Sequence, residues 1–253
     1  MCTLVILRRP GHDWPVLIAA NRDESKLRPW DPPARHWPDR PETLAGRDQL
    51  ADGSWLGIND YGVVAAILNR HGSLGPAPDK RSRGELVLEA LEFTEASEAA
   101  DAMAELNPEA YRSFNLVVAD NTNAFWIANT ARTGEISRHT VPDGLSMLTS
   151  RDINDTASER IKHYLPLFEE AEHPDPETKE WDSWHKLLAC PDLGHPDDLT
   201  SAMCIDRGDN YGTVSSSLMA LASPELRQGG ETEDIFLFAP GAPDHTDYAP
   251  VAL

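Results

Sequence analysis

The sequence predicts an α+β protein: antiparallel sheets with helices segregated onto outer faces. Three observations carry this. Apolar, β-branched runs come in neighbouring pairs joined by short turns, which is the mark of hairpins rather than of βαβ crossovers. Helical periodicity is confined to two blocks that interrupt the strands. No glycine-rich phosphate loop of the GxGxxG or Walker type follows any strand, which argues against a nucleotide fold.

The elements follow in order. "CTLVIL" (2–7) and "PVLIAA" (15–20) are short apolar strands around the turn "RRPGHDW". Residues 25–47 carry Pro29, Pro32, Pro33, Pro38 and Pro41. That stretch predicts irregular structure, neither helix nor central strand, and is long enough for a functional loop. "GSWLGINDYGVVAAILNR" (53–70) reads as strand, turn at Asn59-Asp60-Tyr61-Gly62, strand. Residues 83–106 have helical apolar spacing rich in Ala and Glu, enough for one or two helices. "FNLVVAD" (114–120) and "AFWIANT" (124–130) form a further hairpin, and "GEISRHTV" and "GLSMLTS" add two strands. "DTASERIKHYLPLFEEA" (155–171) is a helix with Asp155-Thr156 at its cap, and "EWDSWHKLLAC" is a shorter one. "TSAMCID", "GTVSSSLMAL" and "DIFLFAPG" read as closing strands or strand edges. Repeats, low-complexity tracts and linkers are lacking, so one domain over 1–253 is expected.

The balance of charge narrows the partners. Asp and Glu number 42 against 22 Lys and Arg, a formal charge of −20. The lysines are only Lys26, Lys80, Lys162, Lys179 and Lys186. So acidic a chain is a poor partner for nucleic acid, which selects basic patches. It suits either a high-salt cytoplasm or an ordinary acidic cytosolic protein. Three cysteines (Cys2, Cys190, Cys204) form neither a disulfide framework nor a zinc site, and fit a reducing compartment. The start lacks the order of a signal peptide, and no run reaches the roughly 20 apolar residues of a membrane span. A cytoplasmic protein without membrane insertion is expected, acting on a small-molecule ligand or substrate. Its histidines show no HxxxH or HExxH spacing, so neither metal nor resident cofactor is expected. An axial haem ligand from a lone His or Cys stays open.

The chemistry-bearing pattern lies at the start. If Met1 is removed, Cys2 carries a thiol and a free α-amine whose ordinary pKa is about 7.7–8.0. Nucleophile and general base then share one residue, as in enzymes with an N-terminal threonine. Asp23 follows the second strand of the hairpin that Cys2 begins, so antiparallel pairing brings it near Cys2, where it would orient the amine. Arg22 suits a carboxylate or phosphate. Asn69, ending "VVAAILN", suits an oxyanion. The other reading of each is structural: Cys2 as a small buried hydrophobe, Asn21–Glu24 as a solvated turn, Asn69 as a strand-end residue.

These residues also carry a resemblance. "MCTLVIL", "VLIAANRDE" (16–24), "RPW" (28–30), "GSWLGINDYG" (53–62), "ILNR" (67–70), "RGELV" (83–87), "FNLVVAD" and "YGTVSSSLMAL" (211–221) resemble the NRDE family, also called the transport-and-Golgi-organisation protein 2 family. The resemblance implies the four-layer αββα sandwich of N-terminal-nucleophile hydrolases. More distantly the family is similar to penicillin V acylases and bile salt hydrolases. It implies Cys2 as nucleophile, Asp23 as amine partner and Asn69 as oxyanion donor, with the arginine near the thiol missing unless Arg22 replaces it. The candidate substrate-binding residues are Asn21, Glu24, Trp55, Arg70, Ser150 and Arg151. Three positions depart from the pattern. Ala20 stands where the acylases have Arg, Ser150 or Arg151 where an Asn is expected, and Val214 where the family has Arg.

Two functions follow as expectations. One is a cysteine amidohydrolase or acyltransferase on a small amide. The other is a non-catalytic binding or trafficking protein for haem, a lipid or an acyl-CoA on the same fold, with Arg22, Arg28, Arg35, Arg47 and Arg70 forming a cationic mouth.

Overall fold

A computed structural model describes residues 2–130, 134–228 and 232–253. The chain folds into two compact units. One is formed by the residues up to Leu27 together with Pro142–Leu253, the other by Arg28–Val141. Among the described residues each holds one antiparallel sheet and its helices.

The first unit contains β1 (Thr3–Arg8) and β2 (Val16–Ser25); the second contains β3 (Trp30–Ala34), β4 (Thr43–Asp48), β5 (Leu56–Asn59), β6 (Val64–Asn69), α1 (Gly84–Ala90), α2 (Ala96–Ala104), β7 (Phe114–Ala119), β8 (Ala124–Asn129) and β9 (Ile136–Thr140). The chain then returns to the first unit with β10 (Gly144–Leu148), α3 (Glu159–Glu170), α4 (Asp182–Leu188), β11 (Tyr211–Leu221), α5 (Pro224–Gln228), β12 (Ile235–Ala239) and β13 (Ala249–Pro250).

In the first unit the strand order is β10-β1-β2-β11-β12-β13. The alternation of side chains along a strand sorts its residues. Val5, Leu7, Leu17 and Ala19 pack with Ile161, Tyr164 and Phe168 of α3, and with Trp184 and Leu188 of α4. Leu4, Ile6 and Ile18, on the opposite face, are buried too. Burial on both faces explains why β1 and β2 read as continuous apolar runs instead of alternating ones.

In the second unit the order is β3-β4-β5-β6-β7-β8-β9. Ala65, Leu116, Val118, Phe125 and Ile127 pack with Leu86, Val87 and Ala90 of α1, and with Ala99, Ala100 and Met103 of α2. The turn joining β5 to β6 is the expected one. Asn59 Oδ1 accepts from the amides of Tyr61 and Val63, and Gly62 takes φ +84°, which suits glycine.

The helices expected at 83–106 are two. That at 155–171 begins later than its expected cap. Ser158, whose Oγ accepts from Ile161 N–H, is the N-cap, and Asp155 bonds the turn before it. Three other expectations are corrected. Asn21–Glu24 are not a turn, because β2 runs through them to Ser25. The proline-rich stretch 25–47 contains β3, an edge strand whose register slips between Asp31 and Ala34 around Pro32 and Pro33, and also the inner strand β4, which starts after the last proline. "TSAMCID" is not a strand. It opens with a 3₁₀ turn, and its backbone is bonded sideways: Met203 O accepts from Asn21 Nδ2, and Ile205 N–H donates to Thr213 Oγ1. Only its end forms a strand edge, where Thr213 N–H donates to Ile205 O and Asp206 bridges Gly212.

Candidate functional site

The hairpin β1–β2 builds the site. Its register pairs Thr3 with Asn21 and Arg8 with Val16. One step further sets Cys2 opposite Arg22, with the Cys2 backbone nitrogen on the Asp23 side of that pair. On the other flank of β2, β11 pairs Thr213 with Asp23 and Ser215 with Arg22. Val214 is therefore the extra residue of a bulge, beside the "NRDE" segment. Bulges recur next to active sites because they re-aim neighbouring side chains.

Asn21, Arg22 and Asp23 are 1%, 6% and 2% exposed. Such polar residues survive burial only when bonded. Asn21 is committed to the scaffold: its Nδ2 donates to Leu188 O and Met203 O, both at 2.9 Å, and its Oδ1 accepts from Ser216 Oγ at 2.6 Å. Ser216 Oγ in turn accepts from Tyr248 Oη. Asn21 thus pins the end of α4 and the segment before β11 to β2.

Asp23 is bound more tightly still. Oδ2 lies 2.9 Å from Arg160 Nη1, with both side chains fully buried, and Oδ1 accepts from Thr213 Oγ1 at 2.7 Å. Arg160 comes from the first turn of α3. Nη1 also donates to Thr3 Oγ1 at 2.5 Å, while Nε and Nη2 both donate to Thr200 O. The pair joins β1, β2, α3 and β11 around one neutralised carboxylate.

Cys2 is partly exposed. Its Sγ donates to the backbone oxygen of Asp23, 3.6 Å away. Tyr211 Oη donates to that same oxygen at 3.0 Å. Burial, and next the negative charge of Asp23, push the Cys2 thiol above its ordinary range. A thiol so placed does not ionise by itself near neutrality and needs a base to take its proton.

The other sequence candidates fall as follows. Glu24 Oε1 accepts from the adjacent Ser25 N–H. Ser150, buried, comes two residues after Leu148, the partner of Leu4, and so lies toward the Cys2 end of β1; Arg151 is exposed. Asn69, Arg70 and Trp55 belong to the other unit. There Asn69 ends β6 opposite Phe114, Arg70 Nη1 donates to Asn115 Oδ1 at 2.6 Å, and Trp55 stands edge-on to Trp30. The arginines of the expected cationic mouth are largely neutralised: Arg28 pairs with Asp48, Arg35 with Asp60 and Arg47 with Asp52. Among the described residues no group of three or more His, Cys, Asp or Glu is placed to hold a metal ion, and no helix is long and apolar enough to cross a membrane.

Sequence reasoning missed Arg160, Thr213 and Tyr211. A signal for Arg160 existed. Arg160, Tyr164 and Phe168 fall at i, i+4 and i+8, so an arginine sits on the apolar stripe of α3, and a buried arginine implies a buried carboxylate.

The profile of the Transport and Golgi organisation 2 family matches residues 1–226. The chain belongs to that family. The mouse Transport and Golgi organization 2 homolog is 37% identical over 112 residues, 42% of this chain and 38% of that protein. The human homolog is 36% identical over 114 residues, 43% of this chain and 40% of that protein. The chain thus matches about two fifths of the length of these family members. Solved structures show the fold of the family member described here. An N-acylethanolamine-hydrolyzing acid amidase ortholog from Caenorhabditis elegans superposes with TM-score 0.60 at 15% identity, over 92% of this chain and 98% of that one. A mutant conjugated bile acid hydrolase from Clostridium perfringens gives 0.52 at 12%, over 100% and 97%. Penicillin V acylase from Agrobacterium tumefaciens gives 0.51 at 13%, over 94% and 83%. The fold is that of the N-terminal-nucleophile hydrolases, the α+β class the sequence predicts.

Proposed function

We propose that this family member is a cysteine N-terminal-nucleophile amidohydrolase or acyltransferase acting on a small amide, with Cys2 as nucleophile once Met1 is removed. The observation that carries the reading is the meeting of Cys2 Sγ with the backbone of Asp23, at the one end of the β1–β2 hairpin where a freed α-amine and a buried ion pair come together.

The pair matters for the base. A lone carboxylate beside an ammonium would hold it protonated, whereas Asp23 already has Arg160 for a partner. In this reading the couple stands on the side of Cys2 toward which the freed amine points, and the amine, whose ordinary pKa is about 7.7–8.0, serves as the base. In the proposed reaction the amine takes the thiol proton and the thiolate adds to the amide carbon. The ammonium then protonates the leaving nitrogen as the C–N bond breaks. Water, or an acceptor amine in the transferase version, releases the acyl group from sulfur. The structural neighbours, named as an amidase, a hydrolase and an acylase, support this chemistry by fold alone.

The test has two parts. Intact mass of the purified protein is expected to lack Met1. Fluorogenic N-acyl amides of varied chain length are then expected to release their amine, with Cys2→Ala inactive and still folded. Retained Met1, or release equal in Cys2→Ala, would sink the proposal. An inert wild type that binds haem, a lipid or an acyl-CoA saturably would favour the binding role instead.

A further inference from the structure

One carbonyl oxygen, that of Asp23, takes two donors: the Cys2 thiol at 3.6 Å and the Tyr211 hydroxyl at 3.0 Å. Tyr211 opens β11 and is paired with Ser25, and its side chain reaches back along β2 to the carbonyl of Asp23. The Val214 bulge lies three residues further along β11. The hydroxyl is thus delivered by a second strand to the carbonyl on which the thiol rests.

The two donors differ in what ionisation does to them. The thiol can lose its proton, and then has nothing to give the Asp23 oxygen. The Tyr211 hydroxyl keeps its proton: burial raises its pKa, and the negative charges of Cys2, Asp23 and Glu24 raise it further, against Arg160. The groups acting on the sulfur are Asp23, which disfavours the thiolate, and the amino-terminal charge and Arg22, which favour it. Tyr211 is accordingly a permanent donor and cannot be the base.

We propose that Tyr211 is a positioning residue for Cys2: by donating to the same Asp23 carbonyl it weakens that oxygen as an acceptor for the thiol, so the thiol gives up its proton more readily. That proton goes to the α-amine in the reaction proposed above, and to water or buffer in an assay without substrate. The inference rests on the reading of Cys2 as the nucleophile for its purpose, but its test needs no turnover.

The test is the pH profile of Cys2 alkylation by iodoacetamide, read by peptide mass spectrometry so that Cys190 and Cys204 are scored apart. Tyr211→Phe keeps the ring and removes the donor. The profile is expected to shift upward by about 0.5–1 pH unit, a roughly 3–10-fold slower alkylation below its midpoint, while Tyr61→Phe leaves it in place. Should Tyr211→Phe not fold, biosynthetic 3-fluorotyrosine strengthens the same donor, and the midpoint is expected to fall. A profile unmoved by Tyr211→Phe, or by fluorotyrosine in that second case, overturns the inference. If the profile moves but the wild type cleaves no amide, the proposed reaction fails while this inference stands.

Discussion

At the scale of single residues, the largest consequence is that Asp23 is one half of a buried ion pair. Removing one partner of such a pair leaves an uncompensated charge without solvent, which costs about 3–5 kcal/mol. Arg160→Met is expected to lose about that much in urea denaturation, with Thr3, Asp23 and Thr200 left without the guanidinium they share. A loss under about 1 kcal/mol would show that the pair contributes little to the fold. Cys204 makes a second, pH-dependent case. Burial, and then the charge of Asp244 on which its Sγ rests at 3.4 Å, push its thiol from 9.0 to about 12. The folded protein therefore holds this proton more tightly than the unfolded chain. The resulting stability is complete below about pH 9 and is lost as pH rises toward about 12. Comparing unfolding midpoints of wild type and Cys204→Ala across that window checks it: the variant is expected to lose less stability with rising pH, and parallel curves would refute it.

At the scale of elements, the strands are set by close backbone approach as much as by apolar pattern. Gly57 in β5 pairs with Ala45 of β4 and Ala65 of β6. A Cβ at Gly57 would lie 2.4 Å from Ala45 Cβ and 2.9 Å from Leu44 O, the latter backbone that cannot step aside. Gly57→Ala is expected to cost about 1–3 kcal/mol through overpacking, visible as a lower denaturant midpoint; an unchanged midpoint would contradict the tight packing of β4 on β5. The same scale explains what was legible and what was not. β1, β2, β7 and β8 are continuous buried runs, and their composition announces them. β4 was hidden because the prolines before it end at Pro41, two residues short of its start. The segment around Met203 and Cys204 imitates a strand in composition, yet the backbone of Met203 and Cys204 is bonded by the Asn21 side chain and by Cys190 O, and strand-like pairing begins only at Ile205 with Thr213.

For the whole molecule, the sequence by itself determined the class and the family. Hairpin pairs, two helical blocks, the lack of a phosphate loop and the "MC", "NRDE", "WLG" and "RGEL" segments are local or evenly spaced features, readable without coordinates. It also brought Cys2 near Asp23, because an antiparallel hairpin places the start of its first strand beside the end of its second. The tertiary structure alone decided what Asp23 is bonded to. Arg160 lies 137 residues away and Thr213 190, on elements whose docking depends on the packing of α3 and β11 against β2. It likewise decided that Asn21 serves the scaffold, that Arg28, Arg35 and Arg47 each face an aspartate, and that Tyr211 shares an oxygen with Cys2. The physical reason is one of range. Periodicity and strand pairing act between near neighbours, whereas a buried charge must find its partner wherever folding brings one within hydrogen-bonding distance, and no spacing along the chain records that choice.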